Sequence, residues 1–240
     1  MRHDHRPYAL KRLQGMLEAT WTRHFIRPQL DALGVRPMIM KPWNFKIHGE
    51  NISLGDGVHV VTARDRTVRL TTWRHPDGCG AIQIEDYVLL CPGVRIDSAA
   101  TVHVGANTML AAGVYVTDAD WHDLYDRTRS IGTTKPVTLG NNTWIGDGSI
   151  ICKGVTVGDN SIIGTGSVVT RSIPANVIAA GNPAVVIREL HADQPLVPRS
   201  ALLGDPVELD QTMDGLERML RKDNRWWKWL QTVVAPSRRD

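Results

Sequence analysis

The chain has 240 residues, with 28 Lys+Arg against 25 Asp+Glu, 42% hydrophobic residues and 6% aromatics. That length fits one large domain or two small ones, enough for a sizeable core, and the composition excludes intrinsic disorder and collagen-like repeats. The net charge of +3 is too small to mark a nucleic-acid binder, no apolar run approaches the ~18 residues of a membrane span, and the N-terminal MRHDHRPY lacks the apolar core of a signal peptide.

In chain order, residues 8–27 read as an amphipathic helix. Leu10, Leu13, Leu17, Trp21 and Phe25 recur at helical spacing within an N-terminal segment of residues 1–34. From residue 35 to about 190 the text changes to short Val/Ile stretches broken by Gly, Asp and Asn. The Val+Ile total of 39 against 20 Leu favours strand. Residues 191–240 hold a proline-bearing linker, then a helix starting near Leu209 with Met213, Leu216 and Leu220 on one face. The helix leads into Arg225-Trp226-Trp227-Lys228-Trp229-Leu230. Cys79, Cys91 and Cys152 form no CxxC, which fits a reduced, cytoplasmic protein.

The middle segment repeats with a period of six. Aliphatic residues fall at Leu139, Ile145, Ile151, Val157, Ile163 and Val169. Two positions before them lie Thr143, Ser149, Val155, Ser161 and Ser167, all small or β-branched. The same phase runs upstream through Ile84, Leu90, Ile96 and Val102, and after a two-residue slip through Val104, Leu110 and Val116. Residues two apart in a strand face one side, so the small and the aliphatic residue both point inward. Corners such as Gly140-Asn141-Asn142 and Gly158-Asp159-Asn160 supply the turn residues between them. Short strands joined by sharp corners build a parallel β-helix. Outward positions that would be polar in water instead hold Trp144 with Ile162 and Ile150 with Val168. These two apolar outer faces are covered either by other copies or by a helix of the same chain.

The stretches VTLGNNTWIG (137–146) and GTGSVVTRSIP (164–174), and the Gly181-Asn182-Pro183-Ala184 turn followed by Val186-Ile187-Arg188, resemble the hexapeptide-repeat acyltransferases, including the maltose, galactoside and xenobiotic acetyltransferases. The resemblance covers about residues 50–190. It implies a mainly β fold, a left-handed parallel β-helix with an α-helix at each end. It also implies a homotrimer and acetyl-CoA as acyl donor, with no metal required. The handedness comes from the resemblance, since period alone does not set it.

The six-residue phase fails once, in the loop 117–138, a polar stretch with a single histidine, His122. A loop on a rigid scaffold is where functional groups concentrate. The resemblance gives His122 the role of general base. A neutral imidazole takes the proton of an acceptor hydroxyl as it attacks the thioester. It gives the backbone N–H of Asp147 the role of oxyanion donor, and it places Trp144 and Gly146 along the pantetheine arm, with Arg171 and Arg188 at the CoA phosphates. Asp118, Asp120 or Asp123 could orient the imidazole, and Cys91 and Cys152 read as small residues within the repeats rather than nucleophiles. A metal hydratase on the same coil would need paired histidines that this sequence lacks.

The run DADWHDLYDR (118–127) resembles acyltransferases that decorate polysaccharides, so O-acetylation of a sugar hydroxyl in a glycan or glycolipid precursor is the expected reaction. N-acetylation of an amino sugar and a non-catalytic scaffold are the alternatives. Between Glu217 and Asp240 there are seven basic residues and three acids, together with three tryptophans. That mixture suits either packing on the protein or a membrane interface, so peripheral contact through 225–234 at the inner face of the membrane is an open expectation.

Overall fold

The computed structural model describes residues 4–75, 78–203 and 206–235. Arg238, Arg239 and Asp240 of the basic tail lie outside these residues.

Residues 21–201 form one compact unit, and it is the coil the period predicts. Strands of two to five residues stack in three parallel sheets. Face 1 stacks Ala32–Leu33, Ile52–Leu54, Ala81–Ile84, Thr101–Val104, Val137–Leu139 and Thr156–Val157. Face 2 runs from Met38–Met40 through Leu89–Leu90, Met109–Leu110 and Trp144–Ile145 to Ile162–Ile163, then Val177–Gly181. Face 3 runs from Phe45–His48 through Val68–Thr72, Arg95–Ser98, Tyr115–Thr117 and Ile150–Ile151 to Val168–Val169. The chain visits the faces in the order 1, 2, 3 through six turns. The strand Ala184–Glu189 closes the last turn by pairing antiparallel with Val177–Gly181. The coil takes up the chain slightly before the composition changes, at Ala32.

The core is the inner lining of the coil. Leu139, Ile145, Ile151, Val157, Ile163 and Val169 are fully buried, and so are Thr143, Ser149, Ser161 and Ser167. The small polar residues survive there because each hydroxyl finds a partner: Ser149 Oγ donates to Gly164 O at 3.0 Å, Ser161 Oγ to Pro174 O at 2.7 Å and Ser167 Oγ to Gly164 O at 2.6 Å, while Thr143 Oγ1 pairs with Thr108 Oγ1 at 3.1 Å. The outer sides differ by face. Face 1 shows Ser53, Gln83, His103, Thr138 and Thr156 in register and is polar. Face 2 pairs Met109 with Trp144 and Trp144 with Ile162, and on face 3 Tyr115, Ile150 and Val168 align.

The edge between faces 1 and 2 is stitched from outside. Asn142 Nδ2 donates to Asn160 Oδ1, and Asn160 Nδ2 to Asn176 Oδ1, at 3.0 and 2.9 Å. Residues 190–201 then run back along this edge. Leu190 N–H bonds Asn176 O at 2.7 Å, Ser200 N–H bonds Asn107 Oδ1 at 2.7 Å, and Arg199 Nε donates to Tyr87 O at 3.0 Å.

The described residues among 1–20 and 202–240 form a second unit. α1 (Tyr8–Trp21) continues as a π-helical turn, Thr22–Ile26. After the short α2 (Ser200–Leu203) come α3 (Pro206–Leu220) and α4 (Trp226–Val234). α1 and α3 are clasped by polar contacts. Tyr8 OH donates to Asp214, Arg218 lies 5.0 Å over the Tyr8 ring, and Arg221 pairs with Asp4 at 2.8 Å. Leu13, Met16 and Leu17 of α1 and Met213, Met219 and Leu220 of α3 stay exposed. The helical periodicity is real, but its apolar stripe finds no cover among the described residues.

Candidate active site

Two insertions leave the coil at one edge, between faces 3 and 1. The first is a hairpin of Arg74–His75 and Gly78–Cys79. The second is the His122 loop, between Tyr115–Thr117 and Val137–Leu139. The base of the loop is zipped. Asp120 N–H bonds Thr133 O, Gly132 N–H bonds Asp120 O, and Lys135 N–H bonds Asp118 O, at 3.0, 2.8 and 2.8 Å. Asp118, fully buried at the start of the loop, accepts from Ser98 Oγ at 2.6 Å and from the N–H groups of Ala99 and Ala100 at 2.7 and 2.9 Å. It ties the loop to the turn above. Asp120 pairs with Lys153 at 2.7 Å, which ties the loop to the turn below.

His122 is exposed at the loop's first bend. None of the three candidate carboxylates is hydrogen-bonded to it among the described residues. Asp118 holds the corner and Asp120 holds Lys153. Asp123 accepts from the N–H groups of Tyr125 and Asp126, both at 2.9 Å, which keeps its carboxyl below the usual range. The position of His122 is set by backbone instead. A side chain on Gly132 would put its Cβ 2.7 Å from His122 O and 3.0 Å from Asp123 Cα, so only glycine lets the returning strand lie against this bend. On the other side Trp121 packs on Trp73, ring centroids 5.8 Å apart, and donates from Nε1 to Tyr115 OH at 3.0 Å. Sequence reading missed Gly132, Trp73 and the Asp118 anchor. A glycine that ends a polar loop was the one available signal, and it does not say which backbone it faces.

The other expected site residues are not gathered around His122 in a single chain. Asp147 occupies the corner between faces 2 and 3, so the full width of face 3 separates it from the loop edge. The flanking amides are used by the coil, Gly146 N–H to Ile163 O and Gly148 N–H to Ala112 O, both at 2.8 Å. Trp144 points out from face 2 and is 47% exposed, next to the buried Gly146. Arg171 and Arg188 are both exposed on the last turn. Arg171 follows face 3, whereas Arg188 lies on the strand closing face 2. Lys153, left as an extra cation by the sequence, is committed to Asp120. Burial pushes the Cys91 and Cys152 thiols above their ordinary range, which suits packing residues and not nucleophiles.

Residues 136–171 match the family described as bacterial transferase hexapeptide (six repeats). This stretch, which lies within the coil, is similar to the hexapeptide-repeat transferases. Similar proteins include a putative acetyltransferase of Dictyostelium discoideum, 44% identical over 43% of this chain and 65% of the relative. Another is the galactoside O-acetyltransferase of Escherichia coli K12, 46% identical over 38% of this chain and 45% of the relative. The putative colanic acid biosynthesis acetyltransferase WcaF of the same organism is 32% identical over 45% and 58%. The chain spans only about half of the length of these relatives, between 45% and 65%. Among solved structures, AntD, an N-acyltransferase from Bacillus cereus, aligns with a TM-score of 0.59 at 19% identity, over 80% of this chain and 95% of that one. That likeness concerns the fold.

Proposed function

We propose that this chain is an acetyl-CoA-dependent acyltransferase that acetylates a sugar hydroxyl of a glycan or glycolipid precursor. The observation that carries the reading is the His122 loop: one exposed imidazole, fixed by Gly132, Trp121 and the Asp118 and Asp120 anchors on an otherwise regular coil. The names of the curated relatives support the reaction class. His122 takes the acceptor's proton while the hydroxyl oxygen bonds the thioester carbonyl carbon. The carbon–sulfur bond then breaks, and the proton passes to the departing thiolate. No acyl-enzyme is involved.

The separation of His122 from Asp147 favours a homotrimer. In a three-sided coil the edge bearing His122 of one copy can face the edge bearing Asp147 of the next, which completes the oxyanion site. Trp144 and Gly146 with Arg188 would then line the CoA groove from one copy, and Arg171 from the other. The apolar outer residues Trp144, Ile150, Ile162 and Val168 all lie on the later turns and are consistent with burial between copies there.

The test is thiol release from acetyl-CoA with a panel of sugars and amino sugars. His122→Ala is expected to lose at least about a hundredfold in kcat with CoA binding retained. Undiminished turnover overturns the base assignment, a preference for amino sugars replaces O- with N-acetylation, and no turnover with any acceptor favours the scaffold.

A second reading concerns location. No helix among the described residues is long and apolar enough to cross a membrane. In α4, however, Thr232 is buried while Trp226, Trp227, Leu230, Val233 and Val234 are exposed, so the helix turns its apolar arc outward beside Lys222 and Arg225. We place this arc in the interfacial layer of an anionic membrane on the cytoplasmic side.

A further inference from the structure

The outer side of face 3 changes character along the coil. Its last three rungs are Tyr115, Ile150 and Val168. Its first three are Lys46, Arg69 and Arg95, in register one above another. Rungs lie about 4.8 Å apart, and like charges stacked that closely repel. All three cations are exposed. Arg95 is matched by the carboxylate of Asp97 and lies 4.7 Å over the Tyr115 ring. Lys46 Nζ donates only to the Trp43 carbonyl, at 2.9 Å, and neither Lys46 nor Arg69 forms an ion pair among the described residues. The coil carries a stack of exposed cations that its own acids leave mostly unmatched among the described residues.

The same strands lead to the edge of the His122 loop. Phe45–His48 ends in His48, and Val68–Thr72 leads into Trp73. Trp73 is 46% exposed. Its ring lies 6.3 Å from His48 and 5.8 Å from Trp121, the residue before His122. A groove of about 340 Å³ opens here, lined by His48, Glu50, Trp73 and Arg74 among others. An exposed indole face rimmed by hydrogen-bonding groups fits the C–H face of a pyranose ring. Arginines and a lysine fit a phosphate or carboxylate. Arg69 and Trp73 are four extended residues apart, about 13 Å of backbone, a gap that a long arginine side chain and a saccharide with an anionic substituent together can bridge.

We propose that this part of face 3 is an acceptor subsite for an anionic saccharide, the ring resting on Trp73 and its phosphate or carboxylate on Lys46, Arg69 and Arg95. The proposal rests on the sugar-acceptor reading above and narrows it to acceptors that carry negative charge.

Calorimetric binding to the full chain tests it without needing turnover. The ligands are the methyl glycosides, 1-phosphates and uronic acids of gluco and galacto configuration, and inorganic phosphate. At low salt at least one charged sugar is expected to bind roughly tenfold more tightly than its neutral glycoside. The gap should close at high salt and in Arg69→Glu, or in the milder Lys46→Ala if Arg69→Glu loses the native circular dichroism. Trp73→Ala should weaken neutral and charged sugars alike. Absence of sugar binding, equal affinity for charged and neutral sugars, or a gap that survives Arg69→Glu overturns the ladder. Inorganic phosphate binding as tightly as the sugar phosphates, with no effect of Trp73→Ala, overturns the ring site. Thiol release with the same sugars reads the enzymatic proposal separately: turnover without charge preference removes the subsite and leaves the enzyme, whereas charge-dependent binding without turnover does the reverse.

Discussion

At the scale of single residues, the loop depends on groups that never touch a reacting atom. Gly132 lies against the backbone of His122, so Gly132→Ala must push that bend outward. The expected outcome is a kcat lowered by about tenfold or more with little change in thermal stability, because a misplaced base costs rate. Equal kcat in the variant would show that the bend can shift without consequence. Asp118 differs in kind. It is a buried carboxylate that satisfies three donors in the turn above. Asp118→Ala leaves the Ala99 and Ala100 amides without an acceptor, while Ser98 Oγ keeps the Ala81 carbonyl, and it is expected to destabilise the fold by about 3 kcal/mol, read as a lower denaturant midpoint at constant m. Neither role could be read from the sequence, where both residues look like ordinary loop polars. The partner of Asp118 is a corner some twenty positions earlier, and only the stacking of turns brings it near.

At the scale of elements, the period of six is legible because it is a steric rule obeyed at every turn. The inner residues of the later turns were all identifiable by counting, and they are the buried ones. The cation stack on face 3 escaped the same counting. Lys46, Arg69 and Arg95 are separated by corners of unequal length, so no fixed spacing links them. The apolar residues Ile150, Ile162 and Val168 were legible as outward positions, but what covers them depends on assembly. If copies associate through these faces, Ile150→Asp buries a charge without a partner at the contact. It is expected to shift the sedimentation coefficient from that of a trimer toward that of a monomer while circular dichroism stays native. A wild-type chain that is already monomeric would exclude the shared site.

At the scale of the whole molecule, the coil unit and the helical unit obey different logics. In the coil the aliphatic lining of the repeat is inside, and its outward apolar residues are confined to faces 2 and 3. In the helical unit the contacts are polar and much of the apolar surface is outside, α4 above all. That contrast predicts that removing residues 223–240 leaves acyl transfer to soluble sugars unchanged but abolishes co-sedimentation with vesicles rich in anionic lipid. Equal pelleting of both forms would assign α4 to a protein contact.

The strap formed by residues 190–201 also bears on how such a coil comes apart. A stack of turns held only by nearest neighbours can fray from its open end, one turn after another. Here the chain leaves the last turn and is hydrogen-bonded to Asn107 and Tyr87, several turns earlier. Peeling the last turns therefore also means releasing a clasp fastened near the middle of the stack. The strap makes a linear array behave as a closed circuit, in which the final turns and the turns beside the His122 loop are lost together.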